Sequence, residues 1–323
     1  MNILITGGAG FIGKYLAEKL AITGNRVYVF DDLSRGVISP KVNSNISFIQ
    51  GDILDKSSIT ASTKGVDTVV HLAAINGTDN FYKKSQAVTK VGVIGTANVI
   101  EACEVNGIQN FIFASSAEVY NQAKEIPTDE NVALTIPNMK EKRFSYGGSK
   151  IAGELLTVNW AAEVLKRALI FRPHNVYGPN MGFEHVIPQL IEKSLRLSHQ
   201  DSDSKLIIQG SGQETRAFCY VDDVVRGIEI LIEKGINGEI YNIGNPVETK
   251  IETVTGEILK ILNLKLEIEQ SLLKSGSPLR RCPSIDKISR LGFKPEVDLA
   301  DGIRQTVNWY KNYFELNRNT YGG

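Results

Sequence analysis

Short, almost unbroken apolar runs recur along the first half of the chain: ILIT at 3–6, VYVF at 27–30, ISFI at 46–49, TVVHLA at 68–73, FIFAS at 111–115 and ALIFR at 168–172. Stretches with helical spacing separate most of them. Strands this uniformly apolar have no wet face, so they predict an α/β fold in which a doubly wound parallel sheet is covered by helices on both sides. After Arg172 the regularity fades: Pro173, Pro179 and Pro188 punctuate the chain, and residues 199–205 read as a polar surface loop. A boundary near Asn175 gives a sheet domain at 1–174, with a returning segment around 217–245, and a smaller mixed α/β domain at 175–323. The last helix is capped by Asp298 and carries Leu299, Ile303, Val307, Tyr310 and Phe314 on one face.

A chain of 323 residues with 42% hydrophobic and 22% charged content can bury a full core. Its 36 basic and 36 acidic residues cancel, so no long-range field exists to hold nucleic acid or an anionic membrane, and an anionic ligand must be met locally. Cys103, Cys219 and Cys282 lie far apart without a CxxC pair, which predicts reduced thiols in a cytoplasmic protein. His71, His174, His185 and His199 have no metal-ligand spacing, and no metal site is expected. No apolar stretch approaches the roughly 20 residues that span a bilayer, and the start lacks a signal-peptide pattern, so no membrane association is expected.

The segment ILITGGAGFIGKYLAEKL puts Gly7, Gly10 and Gly13 between a strand and a helix. Without side chains there, backbone amides can approach a pyrophosphate at the positive end of the helix, the arrangement of a Rossmann dinucleotide site. VYVFDD then ends in an acid eighteen residues past Gly13. Asp31, at that strand end, is placed to accept hydrogen bonds from ribose hydroxyls and to repel a 2′-phosphate, which favours NAD over NADP. Arg35 stands nearby as a possible phosphate partner. Asp52, after the third strand, reads either as an adenine-edge contact or as a turn residue.

Tyr146 and Lys150, four apart in YGGSKIAGELLTVNWAAEVL, fall on one helix face. A phenol is a poor base at neutral pH, and a neighbouring ammonium is expected to lower its pKa. Tyr146 then takes a hydroxyl proton while the same carbon is oxidised. Ser115 and Ser116 end the fifth strand, at the carboxyl edge where such sheets bind ligands, and either hydroxyl can hold the same oxygen.

Together TGGAGFIG, HLAA, SSAEVY, YGGSK and RPHNVYGP, followed by QETRAFCYVDDVV, YNIGN and PLRRCPSIDKISRLGFKP, closely resemble the extended short-chain dehydrogenase/reductases, in particular the NAD-dependent nucleotide-sugar epimerases and dehydratases. The likeness covers nearly the whole chain. It implies a tightly held NAD that oxidises sugar carbon 4 to a ketone and is later reduced again. It selects Ser116, four before Tyr120, as the catalytic serine, and gives Glu118 the place of a glutamate that takes the carbon-5 proton in sugar 4,6-dehydratases. It also implies a cofactor set of Gly7, Gly10, Phe11, Ile12, Gly13, Asp31, Asp32, Asp52, Ile53, Leu72, Ala73, Ala74, Ser115, Tyr146 and Lys150.

Two positions depart from that pattern: Ala117 replaces the aspartic acid that protonates the leaving hydroxyl of dTDP-glucose, and Gly92 replaces an asparagine near the nicotinamide. The function expected is therefore epimerase or dehydratase, with decarboxylase, net oxidoreductase or non-catalytic NAD sensor as alternatives. On the nucleotide-sugar side the resemblance points to Asn175, Arg216 and Arg280, with Arg281 as an alternative to Arg280; His185 reads as a base contact or a cap. Two apolar stripes follow Tyr146, Ile151/Leu155/Val158/Ala162/Leu165 and Ala152/Leu156/Trp160/Val164, where the sheet requires one. Relatives pair this helix with the one near residues 84–106, so a homodimer is expected.

Overall fold

The computed structural model describes residues 1–35, 43–198, 205–273 and 278–317. The six apolar runs form β1 (Asn2–Thr6), β2 (Arg26–Asp31), β3 (Ile46–Gln50), β4 (Thr68–His71), β5 (Asn110–Ala114) and β6 (Arg167–Pro173). A further strand, β7 (Ile240–Ile243), returns from the second half of the chain to pair with β6. The sheet order is β7-β6-β5-β4-β1-β2-β3, and all neighbours are parallel. TVVHLA was expected to run as strand to 73, but β4 stops at His71: Leu72 and Ala73 have left the sheet for the cleft above its carboxyl edge.

Among the strands run the helices α1 (Phe11–Ile22), α2 (Lys56–Ser62), α3 (Thr78–Lys83), α4 (Ser85–Lys90), α5 (Thr96–Val105) and α6 (Ser145–Leu156). Alternation along the strands divides the core into two layers. Ile3, Ile5 and Ile112 pack with Leu16, Ala17 and Leu20 of α1 and with Val224, Ile228 and Leu231. Leu4, Phe111 and Phe113 turn the other way, toward Ile59, Val99, Ile100 and Cys103. Such two-sided burial is what uniformly apolar strands require.

The rest of the chain supplies α7 (Val186–Leu197), α8 (Val221–Lys234), α9 (Ile251–Leu262) and α10 (Leu299–Leu316). Helix α8 packs with α1 against the sheet, while α7, α9 and α10 enclose a separate core of Leu190, Ile191, Val254, Ile258, Ile303, Val307 and Tyr310. Asp298 caps α10 by accepting from the Ala300 amide at 2.8 Å. The loop expected at 199–205 lies outside the described residues except for Lys205, which opens a short strand, Lys205–Gln209, parallel to Glu267–Ser271. Among the described residues no helix is long and apolar enough to cross a membrane.

Between α4 and α5 the chain makes a wider turn, Val91–Gly95. A Cβ on Gly92 would lie 2.4 Å from Ser149 Oγ and 2.6 Å from Ser149 Cβ. Glycine at 92 therefore lets α6, which carries Tyr146 and Lys150, pack directly against this turn.

Candidate active site

The dinucleotide segment has the geometry its glycines predict. Gly7 sits at φ +70°, and a Cβ there would meet the Ala73 amide nitrogen at 2.7 Å; one on Gly13 would meet the Gly7 carbonyl oxygen at 2.5 Å. Helix α1 begins at Gly10 with no capping side chain and no acid in its first turn, so its amides are left for an anion. Asp31 accepts from the Ala9 amide at 3.0 Å and the Leu33 amide at 2.9 Å, so the acid beside the site also holds the glycine loop. Burial raises its pKa against those two hydrogen bonds. These features fit a dinucleotide, with the pyrophosphate at α1 and a ribose at Asp31. Arg35 donates to the Asn76 carbonyl at 2.7 Å and to Glu184 at 3.2 Å, and is thus already engaged.

One cleft of about 470 Å³ is lined by every residue of the expected cofactor set, and also by Ser116, Glu118 and Asn175. Ser115 and Ser116 play different parts. Ser115 is 2% exposed and turns its hydroxyl inward to Glu154 at 2.5 Å. Ser116 Oγ accepts from the Glu118 amide at 3.2 Å, and its influence lowers the pKa of the Tyr146 phenol. Asp32 and Asp52 each accept from the amide two residues on, Ser34 and Leu54, and so shape the turns that edge the cleft.

The electrostatics of Tyr146 and Lys150 correct the expectation from spacing. Burial pushes the Tyr146 phenol up to about 12, with Ser116 opposing that shift and Glu118 adding to it. Burial also pulls Lys150 down to about 7, with Glu154 acting against it. Lys150 Nζ donates to the Ala114 carbonyl at 2.6 Å and lies 5.8 Å from the centre of the Tyr146 ring. Desolvation of both groups thus outweighs the lowering that an exposed Tyr–Lys pair would show.

Glu118 lies on the wall of the cleft. Its Oε1 accepts from Arg281 Nη1 at 2.6 Å. Burial would raise its pKa, but Arg281, with Arg143 and Arg216 beyond, holds it below the usual carboxylate range. Asn175 stands at φ +40° and donates from Nδ2 to the Ala217 carbonyl at 3.2 Å. Arg216 is half-buried, its pKa drawn down to about 10 by burial and by Arg281. Arg280 is not brought to the cleft: it is exposed and bound to Glu248, with Nη2 at 2.5 Å, whereas Arg281 lines the cleft wall. Neighbours alternate sides on the short strand Arg280–Arg281, so only one of the pair can face inward.

Sequence reasoning missed Phe81 and Arg143. Arg143 stands three residues before Tyr146, and that proximity was a usable signal. Phe81 belongs to no motif, yet its ring stacks on Tyr146 with centroids 4.9 Å apart and planes 10° apart. Beneath the site, Arg172 and Glu154 form a two-point ion pair (Nε–Oε1 2.8 Å, Nη2–Oε2 2.6 Å) that continues through Tyr120 to Asn242. Among the described residues no cluster of three or more His, Cys, Asp or Glu could hold a metal ion.

Comparison with known proteins places this geometry among relatives. Residues 3–244 match the model of the NAD dependent epimerase/dehydratase family. A trifunctional UDP-glucose 4,6-dehydratase/UDP-4-keto-6-deoxy-D-glucose 3,5-epimerase/UDP-4-keto-L-rhamnose-reductase of Arabidopsis thaliana is 29% identical over 96% of this chain; the chain spans about half of that relative, 47% of its length. A UDP-N-acetyl-alpha-D-glucosaminuronate decarboxylase of Bacillus cytotoxicus is 32% identical over 95% of this chain and 97% of its own length. The dTDP-glucose 4,6-dehydratase DesIV of Streptomyces venezuelae, solved with NAD bound, superimposes with a TM-score of 0.87 at 28% identity, covering 98% of each chain.

Proposed function

This chain belongs to the NAD-dependent epimerase/dehydratase family, and from that premise we propose that it converts a nucleotide-diphosphate sugar through a transient 4-keto intermediate, as an epimerase or dehydratase. The observation that carries the reading is the meeting of Ser116, Tyr146, Lys150 and Glu118 in the same cleft as the glycine-lined start of α1. Bound NAD supplies the oxidising equivalent at sugar carbon 4 and takes it back, so no net redox change accumulates.

The protein's own groups manage the protons. Tyr146 Oη takes the proton of the 4-hydroxyl. The Ser116 hydroxyl favours the phenolate, and so does the Lys150 ammonium as long as Glu154 keeps it protonated. Glu118, held ionised, is the acceptor for the carbon-5 proton that the ketone acidifies. Asn175, Arg216 and Arg281 hold the diphosphate and sugar, the two arginines by charge-assisted hydrogen bonds.

One observation favours a second reading. Arg281 is bound to the single carboxylate of Glu118, and the charges of Arg143 and Arg216 add to its field, while Ala117 has no proton to give a leaving hydroxyl. A uronate at that place would bring its own carboxylate to the guanidinium groups. Once carbon 4 is a ketone, that carboxylate is a β-keto acid and leaves as carbon dioxide, the carbon-5 position then taking up a proton.

The assembly we propose is a homodimer through α4, α5 and α6, supported by the exposure of Val105 on α5 and Leu155 on α6, with Ile94 in the turn between α4 and α5 and Val164 beyond the end of α6. Cys103, Cys219 and Cys282 are buried free thiols, which supports a cytoplasmic setting. Incubation with UDP-, GDP-, CDP- and dTDP-sugars, followed by mass spectrometry and proton NMR in deuterated water, tests the reaction. Loss of water means dehydration, loss of carbon dioxide means decarboxylation, and an unchanged formula with new ring couplings means epimerisation. Stoichiometric release of NADH with a free oxidised product would refute the transient-ketone scheme.

A further inference from the structure

Tyr146 stands at the start of α6, and its immediate apolar neighbours belong to neither main core layer. They form a small separate cluster of Phe81, Val88 and Tyr146, edged by Ala74 and Ile75. Within it Phe81 and Tyr146 are 5% and 6% exposed, and the two rings lie face to face at 4.9 Å. The backbone under Phe81 is fixed on two sides. Ser145, next to Tyr146, donates its hydroxyl to the Phe81 carbonyl at 3.4 Å. Asn80 donates to the Asn76 carbonyl at 2.8 Å and reaches Glu184 at 3.3 Å. Phe81 also lines the cleft itself.

Resting on the catalytic reading of Tyr146 given above, we propose that Phe81 is a positioning residue: its ring fixes the plane of the Tyr146 phenol, and thereby the place of Oη beside Ser116, and it closes that face of the phenol to water. A phenol oxygen lies at the end of a long lever from the backbone, so a small tilt of the ring moves it far. A displacement of about 1 Å at a reacting atom can cost about 10²-fold in rate. Parallel stacking restrains that tilt in a way a shapeless apolar neighbour does not. Exclusion of water on the same face is part of the burial that holds the phenol up at about 12.

The test uses the enzyme with its dinucleotide, ring-labelled with ¹³C-tyrosine. The chain has 11 tyrosines, so the Tyr146 resonance is identified by its loss in Tyr146→Phe. Phe81→Ala is expected to lower the ionisation midpoint of Tyr146 by at least ~1 pH unit as water reaches the phenol. It should also cut kcat by about 10- to 100-fold with KM changed less than about threefold. Phe81→Leu refills the volume without a flat face, so its midpoint should stay near the parent's while kcat still falls. It also serves alone should the alanine variant not fold. An unmoved midpoint in Phe81→Ala, or parental kcat in Phe81→Leu, would overturn the inference. Full turnover by Tyr146→Phe would instead overturn the catalytic reading, and the NMR titration does not depend on turnover.

Discussion

Glu154→Gln removes one charge from the buried pair beneath the active site, and the structure gives the size of the loss. The Glu154 side chain is 6% and that of Arg172 2% exposed, with two guanidinium nitrogens on the two carboxylate oxygens and the Ser115 hydroxyl on Oε1. The amide keeps one carbonyl oxygen to accept from Arg172, beside the Tyr120 hydroxyl and the Glu130 carbonyl, but leaves the buried cation without its counter-charge. Breaking such a pair from one side costs about 3–5 kcal/mol, because the remaining charge is uncompensated. With an unfolding entropy of about 2.1 cal/mol/K per residue over 323 residues, each kcal/mol is worth roughly 1.5 °C, so Tm should fall by about 4–7 °C in calorimetry. Replacing both residues, Glu154→Met with Arg172→Met, should cost less than the single change, since no charge is then stranded. A second effect follows at Lys150, which burial pulls down to about 7 while Glu154 pushes it up. The ammonium is the active form and is lost as pH rises through this pKa, so the alkaline limb of the rate profile should move to lower pH in Glu154→Gln. A single-variant cost below about 1 kcal/mol, or a double variant less stable than the single, would refute the reasoning.

Tyr146→Phe should keep NAD and substrate binding, measured by calorimetric titration, and lose at least ~10²-fold in kcat, since only the acid–base oxygen is removed. Gly92→Ala places a methyl group against Ser149, whose Oγ would be 2.4 Å away; it should destabilise the fold by about 1–3 kcal/mol in denaturant titration, and Ser149→Gly in the same chain should restore part of that. Arg281→Met should raise the pKa of Glu118, which Arg281 now holds down, and so move the acid limb of the rate profile to higher pH. Arg280→Met, removing an exposed arginine bound to Glu248, should leave that limb in place.

How far the sequence could be read depended on whether a feature is local. Gly7, Gly10 and Gly13 declare their role because a strand, a turn and a helix start follow one another without interruption, and no distant residue is needed to make that cradle. Tyr146 and Lys150 are likewise local, four apart on one helix. The choice between Arg280 and Arg281 was not local. It turns on which of two neighbours on a short strand faces Glu118, 163 residues away in the chain, and nothing in PLRRCPS marks the facing. Strand β7 was visible only as part of a returning segment, because its place beside β6 is a long-range pairing.

The departure at Gly92 shows the same limit from the other side. As a sequence feature it is a missing amide, an asparagine lost near the nicotinamide. In the structure it is a contact, for any side chain there would strike Ser149 one turn of α6 away from Tyr146. Spacing arguments also treat charges as if they stood in water, and at Tyr146 and Lys150 that is where they fail. Four residues on one helix face do bring an ammonium near a phenol, but both groups are almost wholly buried, and burial penalises phenolate and ammonium alike. The chain answers with a second tier that a motif does not contain: Ser116 against the phenol, and Glu154 toward the ammonium, itself anchored by Arg172. The pair Tyr146 and Lys150 names the chemistry, and the residues beneath it decide at what pH that chemistry can run.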